Sequence, residues 1–140
     1  MKKLLKQLTE TFGPSGYEDE VRKLVQAEVK PLADEIKVDV LGSLIVRKKP
    51  VKPTKDTKKI MVAAHMDEIG LMVSHVDEKG FARFSPIGGV FGKYVHGGRV
   101  RFLNGVQGVI GYDRFEKVNE APALNKTYID VGATSKKDCP

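Results

Sequence analysis

One stretch decides which fold the sequence predicts: Ile60-Met-Val-Ala-Ala-His65-Met-Asp67-Glu68-Ile-Gly70. Residues 60–64 are apolar, carry no charge and do not alternate with polar residues. This is typical of a short strand that is buried on both faces, as the central strands of α/β sheets are. Open α/β sheets place ligand-binding groups at the carboxyl ends of such strands. The sequence therefore predicts a central strand over 60–64 with a functional site directly after it.

His65 and Asp67 are the candidate residues of that site. One imidazole nitrogen of His65 could bind a metal, while Asp67 could hold the other nitrogen, fix the tautomer and raise the basicity of the ligand. A single histidine is more often structural than metal-binding, even at the end of a strand. The residue types alone leave both interpretations open.

Three motifs occur in order along the chain: Phe12-Gly-Pro-Ser-Gly16, Ala63-Ala-His-Met-Asp-Glu-Ile-Gly70 and Tyr128-Ile-Asp-Val-Gly-Ala133. With them the chain resembles the tetrahedral aminopeptidases, a family of co-catalytic metallopeptidases that includes glutamyl aminopeptidases and sequences labelled cellulase M. The resemblance implies a peptide substrate, two divalent metals (zinc or cobalt), His65 as one metal ligand and Asp67 as its catalytic orienting partner.

Members of that family are more than twice as long as this chain, so the resemblance implies that the 140 residues form an N-terminal portion. It also implies that the bridging aspartate, the glutamate base and the second histidine lie beyond residue 140. A two-metal site needs a bridging carboxylate and several terminal ligands. We therefore expect the portion alone to be inactive and to offer at most one weak metal ligand.

The region before residue 60 shows helical and then strand-like periodicity. Apolar residues at helical spacing predict a helix over residues 3–11 and a second over 16–30, with Ser15 and Glu18 as a capping box at the start of the second. Alternation over 36–40 and a partner run over 44–47 predict a hairpin. With the strand at 60–64, these elements indicate the beginning of an α/β sheet domain, residues 1–70.

The region after residue 70 has the pattern of short strands and tight turns. Two hairpins are predicted, one around residues 77–80 and one around Asn104-Gly105, and a further strand over 128–131. We expect residues 71–140 to form part of a small β-barrel or sandwich. The resemblance implies a PDZ-like dimerisation domain here, and hence a homo-oligomer.

Composition limits the other classes of function. The net charge of +6 comes largely from residues 47–59, which hold seven basic residues and one acidic residue. This run lacks interleaved aromatic residues and predicts a solvated loop, not a nucleic-acid site. The sequence has no apolar stretch long enough for a membrane span and no secretory signal. Its one cysteine, Cys139, fits the cytoplasm.

A second hypothesis belongs to a different class of protein. The chain could be a non-catalytic β-module that mediates self-association, with His65 only structural. His75, in a predicted strand, and His96, in a predicted loop, are expected to be packing or rim residues. Their spacing with His65 does not match that of a zinc site.

Overall fold

The computed structural model describes residues 1–113 and 123–140. The chain divides into two compact units, Met1–Glu68 and Ile69–Pro140. Both helices and strands are present, so the fold is mixed α and β. None of the helices in the described residues has the length and hydropathy of a membrane span.

The first unit contains two helices and a hairpin. The helices are α1 (Lys2–Glu10) and α2 (Asp19–Val29), the latter followed by a short 3-10 helix, Lys30–Leu32. Strands β1 (Glu35–Val38) and β2 (Leu44–Arg47) pair antiparallel. These elements match the predicted helices and hairpin to within a few residues at each end.

The predicted capping box is wrong. Helix α2 begins at Asp19, its N-cap residue is Glu18, and no side chain caps it. The Glu18 carboxylate instead accepts a hydrogen bond from the backbone N–H of Gly16, at 2.6 Å. The Ser15 hydroxyl is used elsewhere, because it donates to the carboxylate of Asp67.

The predicted buried strand over 60–64 is also wrong for the described part of the chain. These residues are assigned to no strand, and Ile60, Met61 and Val62 are each about nine-tenths exposed. A strand is buried on both faces only when other strands flank it and further elements cover it. Among the described residues, no strand pairs with residues 60–64.

The second unit is built on a five-stranded antiparallel sheet with the strand order β3-β4-β7-β6-β5. Its strands are β3 (Gly70–Val76), β4 (Ala82–Ile87), β5 (Arg99–Arg101), β6 (Gln107–Tyr112) and β7 (Thr127–Asp130). The two hairpins predicted from the sequence are β3–β4 and β5–β6. A four-residue helix, α3 (Gly92–Val95), and a 3-10 helix, Leu124–Lys126, were not predicted.

The core of the second unit follows the two-residue period of the strands. Ala82 and Phe84 on β4, Ile110 on β6 and Ile129 on β7 are buried together. Side chains two apart on a strand point to the same face, so these four residues form one layer. Gly108 completes the layer, because a Cβ there would lie 2.4 Å from Cγ2 of Ile129.

Candidate functional site

The candidate site lies within the first unit, where the loop between α1 and α2 meets residues 65–68. The backbone N–H of Glu68 donates to the carbonyl of Gly13 at 2.8 Å. The N–H of Gly13 donates in return to Oε1 of Glu68 at 3.2 Å. Pro14 and Glu68 also form an isolated parallel bridge. These contacts fix the loop beside the segment that carries His65 and Asp67.

Close packing of this loop against α2 requires a glycine at position 13. A Cβ on Gly13 would lie 2.7 Å from Cγ1 of Val21, and Val21 is the one buried residue of the helix, 5% exposed. Atoms this close would have to move apart, and overpacking of this kind is destabilising. Gly13 thus lets the loop lie against α2 while its backbone pairs with Glu68.

Each oxygen of the Asp67 carboxylate has its own partner. Oδ2 accepts a hydrogen bond from the Ser15 hydroxyl at 2.5 Å, and Oδ1 lies 3.0 Å from Nδ1 of His65. The hydrogen bond from Ser15, and secondly that from His65, hold the pKa of Asp67 below its ordinary value. Both contacts favour the ionised carboxylate, because hydrogen bonds to the charged form stabilise it.

The surroundings of Nδ1 determine the tautomer of His65. This nitrogen lies 3.0 Å from Oδ1 of Asp67 and 3.0 Å from the backbone carbonyl oxygen of the same residue. A carbonyl oxygen cannot donate a hydrogen bond, so both contacts favour the tautomer in which Nδ1 carries the proton and donates it. The lone pair of the neutral ring is therefore on Nε2, and the side chain of His65 is 86% exposed.

This arrangement fits one ligand of a divalent metal. A metal-binding imidazole usually donates its other N–H to a carboxylate or a backbone carbonyl, and His65 does both through Nδ1. Over residues 1–113 and 123–140, no three His, Cys, Asp or Glu side chains come together as a metal-binding group. Among the described residues, the arrangement of His65 thus fits one ligand and not a complete two-metal centre.

The other two histidines lie outside the unit that carries the candidate site. His75 and His96 both belong to the second unit and both are exposed. Nδ1 of His75 lies 3.2 Å from the Ser74 hydroxyl, and the ring of His96 packs edge-on against Tyr112. Their positions suit the packing or rim role expected of them.

The second unit has an open cavity of about 450 Å³ beside Arg83. The Arg83 guanidinium donates to the carboxylate of Asp77 and, with two N–H groups, to that of Asp113. These hydrogen bonds, first those with Asp113, raise the pKa of Arg83, and they lower that of Asp113. One guanidinium thus pairs with two carboxylates, which is typical of an ion-pair network that stabilises a fold.

Sequence reasoning missed two residues of the candidate site. Glu68 has no predicted role, yet its backbone N–H and its carboxylate both bind Gly13. The sequence predicts a helix cap at Ser15, yet its hydroxyl binds Asp67, 52 residues away. A Ser or Thr followed three residues later by Glu fits a capping box equally well, so the sequence carried no signal that could separate the two roles.

Comparison with known proteins identifies the class. The chain is 49% identical over 135 residues to a putative aminopeptidase of Acetivibrio thermocellus, a match that covers 96% of this chain and 39% of that relative. The family model of the M42 glutamyl aminopeptidases matches residues 42–140. The chain therefore belongs to the M42 glutamyl aminopeptidase family, and the resemblance drawn from its three motifs is confirmed.

Solved structures agree with this assignment. An aminopeptidase from the archaeon Desulfurococcus kamchatkensis is 41% identical, with a TM-score of 0.84 over 96% of this chain and 38% of that protein. The TET1 peptidase of Pyrococcus horikoshii, which can assemble into a tetrahedron or a large octahedral shell, is 33% identical with a TM-score of 0.78. That match covers 98% of this chain and 42% of the TET1 chain. The chain thus spans about two fifths of the proteins it resembles.

Proposed function

We propose that this chain supplies part of the active site of a metal-dependent aminopeptidase that removes N-terminal residues from peptides. The observation that carries the proposal is the double contact of His65 Nδ1 with Asp67, which leaves Nε2 free to bind a metal. Membership of the M42 family supports the peptidase class. The single exposed ligand supports a site that is completed by polypeptide outside the described residues.

In this proposal His65 is a terminal metal ligand and Asp67 is its orienting partner. Zinc or cobalt, two ions in the complete site, would polarise the substrate carbonyl and make a bound water more acidic. Asp67 keeps the proton on Nδ1, so that the lone pair of Nε2 is presented outward in one orientation. An ionised partner also makes the imidazole a more basic ligand.

The second unit takes a different role in the proposal. We assign its five-stranded sheet to part of a PDZ-like β-barrel through which copies of the protein associate. The support is the family, one relative of which can assemble into a tetrahedron or a large octahedral shell, together with exposed apolar side chains on the sheet such as Met72, Val73 and Val109.

A cytoplasmic location is part of the proposal. The single cysteine of the sequence is in keeping with it.

A chimera tests the proposal directly. In the Desulfurococcus kamchatkensis aminopeptidase, the segment that matches this chain is replaced by the chain itself, with the solved structure guiding the junction. We expect the chimera to hydrolyse aminoacyl chromogenic substrates when zinc or cobalt is added. We expect the 140-residue chain alone to show no turnover, because one imidazole leaves a metal mostly hydrated.

The unmodified relative, assayed in parallel, gives the reference rate. A folded chimera without activity would contradict the proposed function and favour a non-catalytic module for self-association. Turnover by the isolated chain above that of its His65→Ala variant would contradict the claim that the site is incomplete.

A further inference from the structure

Ser15 occupies a position that neither helix capping nor loop geometry explains. Its hydroxyl donates a 2.5 Å hydrogen bond to Oδ2 of Asp67, across 52 residues of sequence. Helix α2 begins four residues later without any side-chain cap. The turn that carries Ser15 is closed by backbone groups, since the N–H of Tyr17 donates to the carbonyl of Pro14 at 2.8 Å. The hydroxyl is therefore not required by the helix or by the turn.

The carboxylate of Asp67 would be free to rotate without this contact. Its side chain is 35% exposed, and one hydrogen bond to His65 fixes only one of its two oxygens. The torsion between Cβ and the carboxylate is broad in proteins, so packing or a second hydrogen bond must restrict it. Ser15 supplies that second hydrogen bond, because it binds the oxygen that His65 does not.

The backbone around Ser15 makes it a fixed support. Residues on both sides of it are held, Gly13 and Pro14 by Glu68 and Gly16 by Glu18. Gly16 has a φ of +88°, a left-handed conformation that glycine adopts without strain. Because the loop is held on both sides of Ser15, little conformational entropy is lost when the Ser15 hydroxyl orders the Asp67 carboxylate.

We propose that Ser15 is a positioning residue for the metal ligand: by holding Asp67, it holds the His65 ring in the tautomer and orientation that present Nε2. The metal-binding role of His65 in this inference rests on the proposed function. The hydrogen bonds that link Ser15, Asp67 and His65 can be tested without metal and without turnover. Groups that orient metal-binding residues affect metal affinity by about 10- to 100-fold in known sites. The loop between α1 and α2 thereby becomes part of the site.

The tautomer ratio of His65 reports whether Ser15 positions the imidazole ring, and it can be measured in the 140-residue chain itself. Solid-state ¹⁵N NMR of ring-labelled histidine distinguishes the two tautomers and does not depend on the size of an assembly. A background with His75→Gln and His96→Gln leaves only the signals of His65. At a pH of about 8 or above, where an unperturbed imidazole is neutral, we expect the tautomer with the proton on Nδ1 to dominate.

Two variants whose new side chains have the same shape separate the effect of the hydroxyl from that of side-chain size. Ser15→Thr keeps it and Ser15→Val removes it, so misfolding that is due to the added methyl groups would affect both. We expect the ratio of the Nδ1–H to the Nε2–H tautomer to fall by about threefold or more in Ser15→Val, the equivalent of one net hydrogen bond. We expect Ser15→Thr to keep the original ratio.

Ser135→Ala provides a control elsewhere in the chain. It removes another serine-to-aspartate hydrogen bond, from Ser135 to Asp138 at 2.7 Å, and we expect it to leave the His65 ratio unchanged. Equal ratios in Ser15→Thr and Ser15→Val would overturn the inference. That result would leave the aminopeptidase proposal intact, because the chimera is judged by its turnover alone.

Discussion

Replacement of His65 with alanine in the active chimera is expected to lower kcat/KM by more than about 100-fold. Mutation of a residue that only orients a metal ligand costs up to about 100-fold, so loss of the ligand itself should cost more. The imidazole is exposed, and in the described structure its hydrogen bonds are with Asp67. The loss should therefore come from the site and not from unfolding.

His75→Ala is the matched control for this variant. His75 is likewise an exposed histidine, but it lies in the second unit beside Ser74, and we expect kcat/KM to stay within a few-fold of the chimera. Thermal unfolding of both variants shows whether the fold is kept. If His65→Ala retained most of the activity, His65 would be a structural residue and the assignment of the metal ligand would be wrong.

Self-association of the 140-residue chain is the second large effect that we expect. Ile60, Met61 and Val62 are consecutive, apolar and each about nine-tenths exposed, and no described strand pairs with them. Exposed apolar segments with unpaired backbone groups promote pairing with another chain. Light scattering should therefore return a mass above the 15.5 kDa of one chain.

A pair of valine substitutions tests whether this segment is responsible. Val62→Lys places a charge in the apolar run, and we expect it to shift the chain towards the monomer. Val51→Lys makes the same change at a valine that is 92% exposed, against 90% for Val62, but within the basic loop, and it should have no such effect. A wild-type chain that is monomeric would contradict the expectation, as would equal behaviour of the two variants.

The second unit shows which structural features local sequence patterns can predict. Its hairpins were predictable, because turn residues and two-residue alternation act over short distances. The turn at Asn104-Gly105 is an example: Gly105 has a φ of +86°, as the sequence pair indicates. The order β3-β4-β7-β6-β5 was not predictable, since it depends on pairings between strands that are far apart in the chain.

Residues 60–64 show where the same reasoning fails. Their composition is that of a strand buried on both faces. Such a strand needs other strands beside it and further elements that cover it. The described residues do not provide those surroundings, so the segment is exposed. The contact between His65 and Asp67 was predictable, because the two residues are only two positions apart. Ser15 was not, because its partner is 52 residues away.

In the proposed function, His65 binds a metal through Nε2 while Asp67 holds Nδ1. Anomalous X-ray scattering from crystals of the zinc-loaded chimera tests it most directly. We expect a zinc peak about 2.0–2.1 Å from Nε2 of His65, with Nδ1 still in contact with Asp67. Zinc bound at other residues, with His65 Nε2 free, or zinc bound to Nδ1 with Asp67 displaced, would show that the proposed role of His65 is wrong.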